Sequence, residues 1–327
     1  MANRRHLFTA TAALLAAPLA APRLARAAWP EKPLRLVIPF PAGGASDAVG
    51  RLLAQHLSPL LGTPVVAENR GGGGGAVGAD AVAKAAPDGH TLLLATVSTH
   101  AVIPALQPRT SYDAVRDFAP IGQVCTAPNV LIASPAVPVA DVAGLVAWAK
   151  ARAGQVNYAS SGIGAVTHLI GEQFKLRTGV QADHVPYRAG VQAVPDMMEG
   201  RIHYLFDSVI WTLPLARQGR VRALAVASAR RSALAPELPT VAESGLPGFV
   251  GETWFALYAP GGTPAEVVAR LAQAAQQVVR SPEAAAGMAR FGAEPAAETS
   301  PAALARLQAA DTATWAEVIR AANIRPE

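Results

Sequence analysis

The short run Leu34-Arg35-Leu36-Val37-Ile38 feeds Pro39-Phe40-Pro41-Ala42-Gly43-Gly44, and a helical pattern starts at Ala45 with Ser46 and Asp47 in its first turn. A strand that turns through glycine into a helix aims backbone N–H groups at one point, where an anion can sit. The turn holds no lysine or arginine. Any anion there is gripped by backbone dipoles and hydroxyls, which suits reversible capture of a carboxylate. Gly43 and Gly44 permit close approach, and Ser46 is placed to cap the helix or to donate to a ligand.

The same logic repeats along the chain. Strand patterns at 34–39, 64–68 and 91–96 alternate with helical patterns at 45–61 and 76–86, the order of a parallel βαβαβ sheet. A second series has strands at 130–134, 157–160, 182–186, 204–207 and 221–227. Its helices are expected at 139–152, 165–178, 189–199 and 210–218. A strand near 254–258 and helices from Pro264, Pro282 and Pro301 complete the chain. Crossing segments near 122–128 and 227–231 read as short strands or hinges. About 300 residues exceed one ordinary core, so two α/β lobes with a cleft between them are expected. Ligands of open α/β sheets bind beyond the strand C-termini.

Residues 1–27 read as an export signal. Arg4 and Arg5 form a basic start, Leu7–Ala20 an apolar run, and Ala25-Arg26-Ala27 a cleavage site. The apolar run is shorter than the ~20 residues a span needs. Asn3-Arg4-Arg5-His6-Leu7-Phe8 also fits a twin-arginine route, so Sec and Tat export both stay open. This segment carries four arginines and no acids, so the formal +5 falls to +1 without it. That removes the case for nucleic-acid binding. The single Cys125 cannot form an internal disulfide and reads as a buried thiol.

Three further segments carry chemistry. Ser160-Ser161-Gly162-Ile163-Gly164-Ala165 repeats the strand–turn–helix arrangement, with His168 in the first helical turn, where the helix dipole favours neutral imidazole. Ser98, Thr99 and His100 follow the third strand and add hydroxyl donors. Asp207 and Ser208 end a strand of the second series, where Asp207 is placed to accept from a ligand amine or hydroxyl or, the favoured reading, to cap the next helix. Gly73, Gly75 and Gly78 match G-x-G-x-x-G. A five-glycine run gives that match cheaply, and no strand-end acid stands about twenty residues on, so a flexible loop is the better reading. There is no G-x-S-x-G, H-E-x-x-H or phosphate-loop motif, and the seven histidines show no metal-ligand spacing.

Pro39-Phe40-Pro41-x-Gly43-Gly44 with Asp47, Glu68-Asn69-Arg70, and Ala86-Pro87-Asp88-Gly89 resemble the Bug family, the solute-binding proteins of tripartite tricarboxylate transporters. The resemblance continues through Tyr158–Gly162, His184-Val185-Pro186-Tyr187, Arg222–Val226 and Pro239–Glu243. It implies an α/β, two-lobed periplasmic binding protein, type II-like, each lobe a mixed, mostly parallel sheet flanked by helices. The lobes are expected at 28–124 plus 230–327 and at 125–229.

It further implies a periplasmic monomer that captures a small organic carboxylate and hands it to membrane permease subunits, with no cofactor, metal or nucleic acid. The ligand-contacting positions it implies are Phe40, Pro41, Ala42, Gly43, Gly44, Ser46, Asp47, Ser98, Thr99, His100, Ser160, Ser161, Gly164, Ala165, His168, Asp207 and Ser208. The alternatives are an exported sensory receptor, or an enzyme using Ser160 or Ser161 with His168. The chain departs from the usual pattern at Ala42, Ala45, Ser46, Ala165, Val166 and Ser208. The loss of hydroxyls at Ala165 and Val166 predicts a less polar second end for the ligand.

Overall fold

The computed structural model describes residues 29–107 and 110–325; the expected export signal lies outside the described residues. Three strands open the chain, β1 (Leu34–Ile38), β2 (Val65–Asn69) and β3 (Thr91–Thr96), separated by α1 (Ala45–Leu61) and α2 (Ala76–Ala83). β1 pairs with both β2 and β3 in parallel. A π-helical turn at Ser98–Val102 leads into the short α3 (Ile103–Leu106). β4 (Phe118–Ala133) follows, then α4 (Val142–Lys150), β5 (Asn157–Ser160), α5 (Val166–Thr178) and β6 (Asp183–Pro186). The chain continues with α6 (Val194–Met198), β7 (Tyr204–Ser208), α7 (Val209–Arg217), β8 (Arg222–Val226) and β9 (Glu252–Pro260). It closes with α8 (Ala265–Arg280), α9 (Pro282–Arg290), β10 (Glu294–Pro295) and α10 (Pro301–Ala321).

The expected hinge at 122–128 and strand at 130–134 are one continuous strand. β4 pairs with β9 from Phe118 to Pro128, then with β7 and β8 from Asn129 onward. It therefore belongs to both lobes. Register shifts between Pro120 and Gly122 and between Gln123 and Cys125 bend it within the first. At the crossing, buried Asn129 donates through Nδ2 to the Gly251 carbonyl at 2.8 Å, and Ala227 N donates to the Asn129 carbonyl at 2.7 Å. In the second lobe β5 lies parallel to β6 and β7.

One apolar core runs across both lobes beneath α10, joining Leu304, Trp315 and Ile319 to Phe174, Ile170 and Tyr258. Separate cores fill the outer faces, one under α1, α8 and α9 and one under α6 and α7.

Several boundaries move for local reasons. The helix expected at 139–152 begins at Val142 because the Asp141 side chain accepts from Gly144 N at 2.7 Å and fixes the start. The helix expected at 189–199 is a 3-10 turn at Gly190–Ala193 followed by five residues of α6. The glycine run is exposed at 71–74 and packs only at its end: an added Cβ at Gly75 would lie 2.6 Å from Thr99 Cγ2 and 3.2 Å from the Phe40 ring, and one at Gly78, within α2, 2.7 Å from Pro39 Cα.

Candidate functional site

The first jaw forms where β1 ends. Pro41–Gly44 are exposed, and Gly44 is the extended residue before α1. No side chain caps this helix, so the expected Ser46 cap is absent. Asp47 stabilises the turn from within instead, accepting from Gly43 N at 3.0 Å and from Asn69 Nδ2 at 3.0 Å, with Arg51 Nε at 2.9 Å. Asn69 Nδ2 also reaches the Phe40 carbonyl at 3.1 Å. Burial works to raise the Asp47 pKa, but the Arg51, Gly43 and Asn69 contacts outweigh it and hold the carboxyl below its usual range. The outcome is a pre-shaped turn at the N-terminus of a seventeen-residue helix whose first N–H groups have no side-chain acceptor.

Ser98, Thr99 and His100 follow β3 at the same sheet edge but are buried. Thr99 Oγ1 accepts from Thr96 N at 3.0 Å. The His100 ring packs 4.1 Å from Tyr258 and 4.6 Å from Phe118 between ring centres. Burial pushes its pKa down to about 3, so it is neutral, and Nε2 has no hydrogen-bond partner. The structure gives this histidine to the core of the first lobe.

The second jaw forms where β5 ends. α5 also starts without a side-chain cap, at Ala165. Val166 packs into the core, so its missing hydroxyl takes no donor from the cleft. Thr167 Oγ1 accepts from Ser161 N at 2.9 Å and braces the turn. His168 Nδ1 accepts from Gly164 N at 3.2 Å, which places its hydrogen on Nε2. Its ring stacks on His184 at 3.9 Å and 10°, and burial pushes the His168 pKa down against the pull of Glu172. Neutrality here comes mainly from burial.

Ser160 is fully buried and pairs with His184 Nε2 at 2.6 Å, not with His168. Ser161 Oγ donates to Asp207 Oδ2 at 2.8 Å. The Ser–His168 pairing that an enzyme would use is not formed. Asp207 does not cap α7: Ser208 does, accepting from Ile210 N at 3.3 Å. Asp207 Oδ1 instead accepts from Ser208 N at 2.7 Å and Trp211 Nε1 at 3.0 Å, and burial pushes its pKa up.

Two close approaches bring the lobes together. A Cβ at Gly164, which has φ +74°, would lie 2.6 Å from Leu106 Cδ2 of α3. A Cβ at Gly292, in the loop before β10, would lie 2.6 Å from Val209 Cγ1 at the start of α7. Leu106, Gly190 and Trp211 carry no motif and were invisible in the sequence; Asn69 was visible only inside Glu68-Asn69-Arg70.

The profile of the tripartite tricarboxylate transporter family receptor matches residues 49–324. The chain belongs to this family. BugT of Bordetella pertussis is 37% identical over 315 residues, covering 96% of this chain and 94% of BugT. Among solved structures, an R. palustris protein with adipate superposes with a TM-score of 0.83 at 36% identity, covering 91% of this chain and all of that one. MatC from Rhodopseudomonas palustris with bound malate gives 0.78 at 31% identity, covering 89% of this chain and all of MatC. The fold is thus that of a two-lobed periplasmic binding protein, and this chain is a solute-binding receptor of the tripartite tricarboxylate class.

Proposed function

We propose that the chain captures a small organic carboxylate between its lobes and presents it to the membrane subunits of a tripartite transporter. The observation that carries this reading is that the helices leaving the two jaw turns, α1 and α5, both start uncapped. α1 and α5 both begin at the ends of parallel strands, and neither has a side chain on its first N–H groups. α4, α7, α9 and α10 are each capped by an Asp or Ser side chain, whereas α2, α3, α6 and α8 start without one, as α1 and α5 do. A free helix N-terminus carries roughly +0.5 charge and bare N–H donors, which suits a carboxylate without a full ion pair. Relatives solved with adipate and malate support the ligand class.

In this reading the contacts come from the Phe40–Asp47 turn and from the Ser160–His168 turn, and the lobes divide where β4 changes partners near Asn129. The mature chain begins after Ala27 and works as a periplasmic monomer. It returns its ligand unchanged: Ser160 is buried against His184, and the hydroxyl hydrogen of Ser161 is spent on Asp207. The test is a thermal-shift panel of mono- and dicarboxylates followed by recovery of the bound molecule. A ligand at a hundred times its Kd adds ~2.7 kcal/mol. A panel without any shift, or a chemically altered ligand, refutes the reading.

A further inference from the structure

Asp207 is a carboxylate set inside the second jaw, 7% exposed and covered by its neighbours. Gly190 lies over it so closely that an added Cβ would stand 1.9 Å from Oδ2. Its oxygens are taken by Ser208 N, Trp211 Nε1 and Ser161 Oγ, all neutral donors. It pairs across the β4–β7 ladder with Val130, and Arg188, two residues before Gly190, is exposed. Among the described residues no charged side chain hydrogen-bonds or ion-pairs with it.

The consequence falls on Ser161, which is half-buried at the turn surface. A serine hydroxyl has one hydrogen and two lone pairs. The hydrogen goes to Asp207 at 2.8 Å, and one lone pair takes Gly190 N at 3.2 Å. Only a lone pair is left for a ligand. Ser160 offers nothing more, since its hydroxyl is buried among Gly162 and His184. The donors of this jaw are therefore the backbone N–H groups of α5, and beside them stands an acceptor.

We propose that Asp207 acts through Ser161 as a positioning residue that makes this point of the jaw a hydrogen-bond acceptor. The receptor thereby selects acids that carry a hydroxyl or ammonium hydrogen next to the carboxylate over acids that lack one. This rests on the carboxylate-capture reading above. A bare carboxylate oxygen facing the Ser161 lone pair is repelled, whereas a 2-hydroxyl or 2-amino group completes the bond. Protonating Asp207 reverses the arrangement: the carboxylic acid donates to Ser161 Oγ, and the serine hydrogen becomes free for the ligand. Burial raises the pH at which this happens above the ordinary carboxylate range.

The test is calorimetric titration of the mature wild-type protein with matched acids, namely propionate and lactate, succinate and malate, and glutarate and 2-hydroxyglutarate. At neutral pH the hydroxylated member should bind about tenfold tighter or more, a difference of about 1.4 kcal/mol. The preference should shrink on acidification. In Asp207→Asn the amide Nδ2 donates to Ser161 Oγ and frees the serine hydrogen, so the preference should vanish or invert and lose its pH dependence. Ser161→Ala, a milder change to the fold, should erase the preference without inverting it. Equal wild-type binding within the pairs that bind, or an Asp207→Asn protein that keeps the wild-type ratio, overturns the proposal and leaves carboxylate capture standing. A folded wild-type protein that binds no carboxylate of a wider panel overturns the capture reading and this proposal with it.

Discussion

Gly164→Ala separates the two demands placed on one residue. The backbone there is left-handed at φ +74°, which costs an L-residue about 1–2 kcal/mol whether the lobes are open or closed. The added Cβ also stands 2.6 Å from Leu106 Cδ2 of α3, a contact between the jaws that lobe opening is expected to break. Leu106 is buried and cannot swing freely. Displacing it is an overpacking cost of about 1–3 kcal/mol that falls on the closed state alone. Urea denaturation of the ligand-free protein should therefore report the first cost. Calorimetric affinity for a carboxylate should report the second, as a loss of about 5- to 150-fold. Adding Leu106→Ala should restore much of the affinity and none of the backbone cost, because it removes the methyl groups that collide. Wild-type affinity in Gly164→Ala, or no recovery in the double variant, would refute the idea that this contact is made on closure.

Four other outcomes follow from the geometry. Gly43→Val should abolish binding while the protein still folds, because a side chain at φ +86° projects into open space at the first jaw; calorimetry and circular dichroism together check this. Asp47→Ala should destabilise by about 1–2 kcal/mol through the orphaned Gly43 N–H and Asn69 amide. The Asp47 carboxyl is held below its usual range, so its stabilisation is present above that range and lost as pH falls through the folded pKa; acid titration of wild type and variant should converge. Asp207 runs the other way. Its raised pKa favours the folded state at low pH and that contribution fades as pH rises, so Asp207→Asn should flatten this part of the stability profile measured by urea melts. Cys125 is fully buried and its thiol pKa is pushed up by burial, so native protein should resist a thiol reagent that labels the urea-unfolded chain fully.

The alternation of strands and helices was legible because it is local. Leu34–Ile38 alternates with the 3.6-residue pattern of Ala45–Leu61 within a few turns of chain, and proline at Pro282 and Pro301 marks the first turn of α9 and α10. The two jaw turns were legible for the same reason, since glycine after a strand and before a helix describes its own geometry. Asp207 and Ser208 show where that reasoning stops. Both are good caps next to one helix, and only the burial of Asp207 beneath Gly190 and its bonds to Ser161 and Trp211 decide that Ser208 takes the role.

By itself the sequence determined the α/β class, the order of most elements and the two turns that bare helix N-termini. Tertiary structure alone decided that β4 runs unbroken through both lobes and that His100 lies in the core between Tyr258 and Phe118. It also decided that Ser160 faces His184 and that Leu106 meets Gly164 across the cleft. Each of these is a pairing of residues far apart in the chain. Periodicity and capping act over one or two helical turns, whereas the partner of a buried polar group is set by which surfaces the whole chain brings into contact.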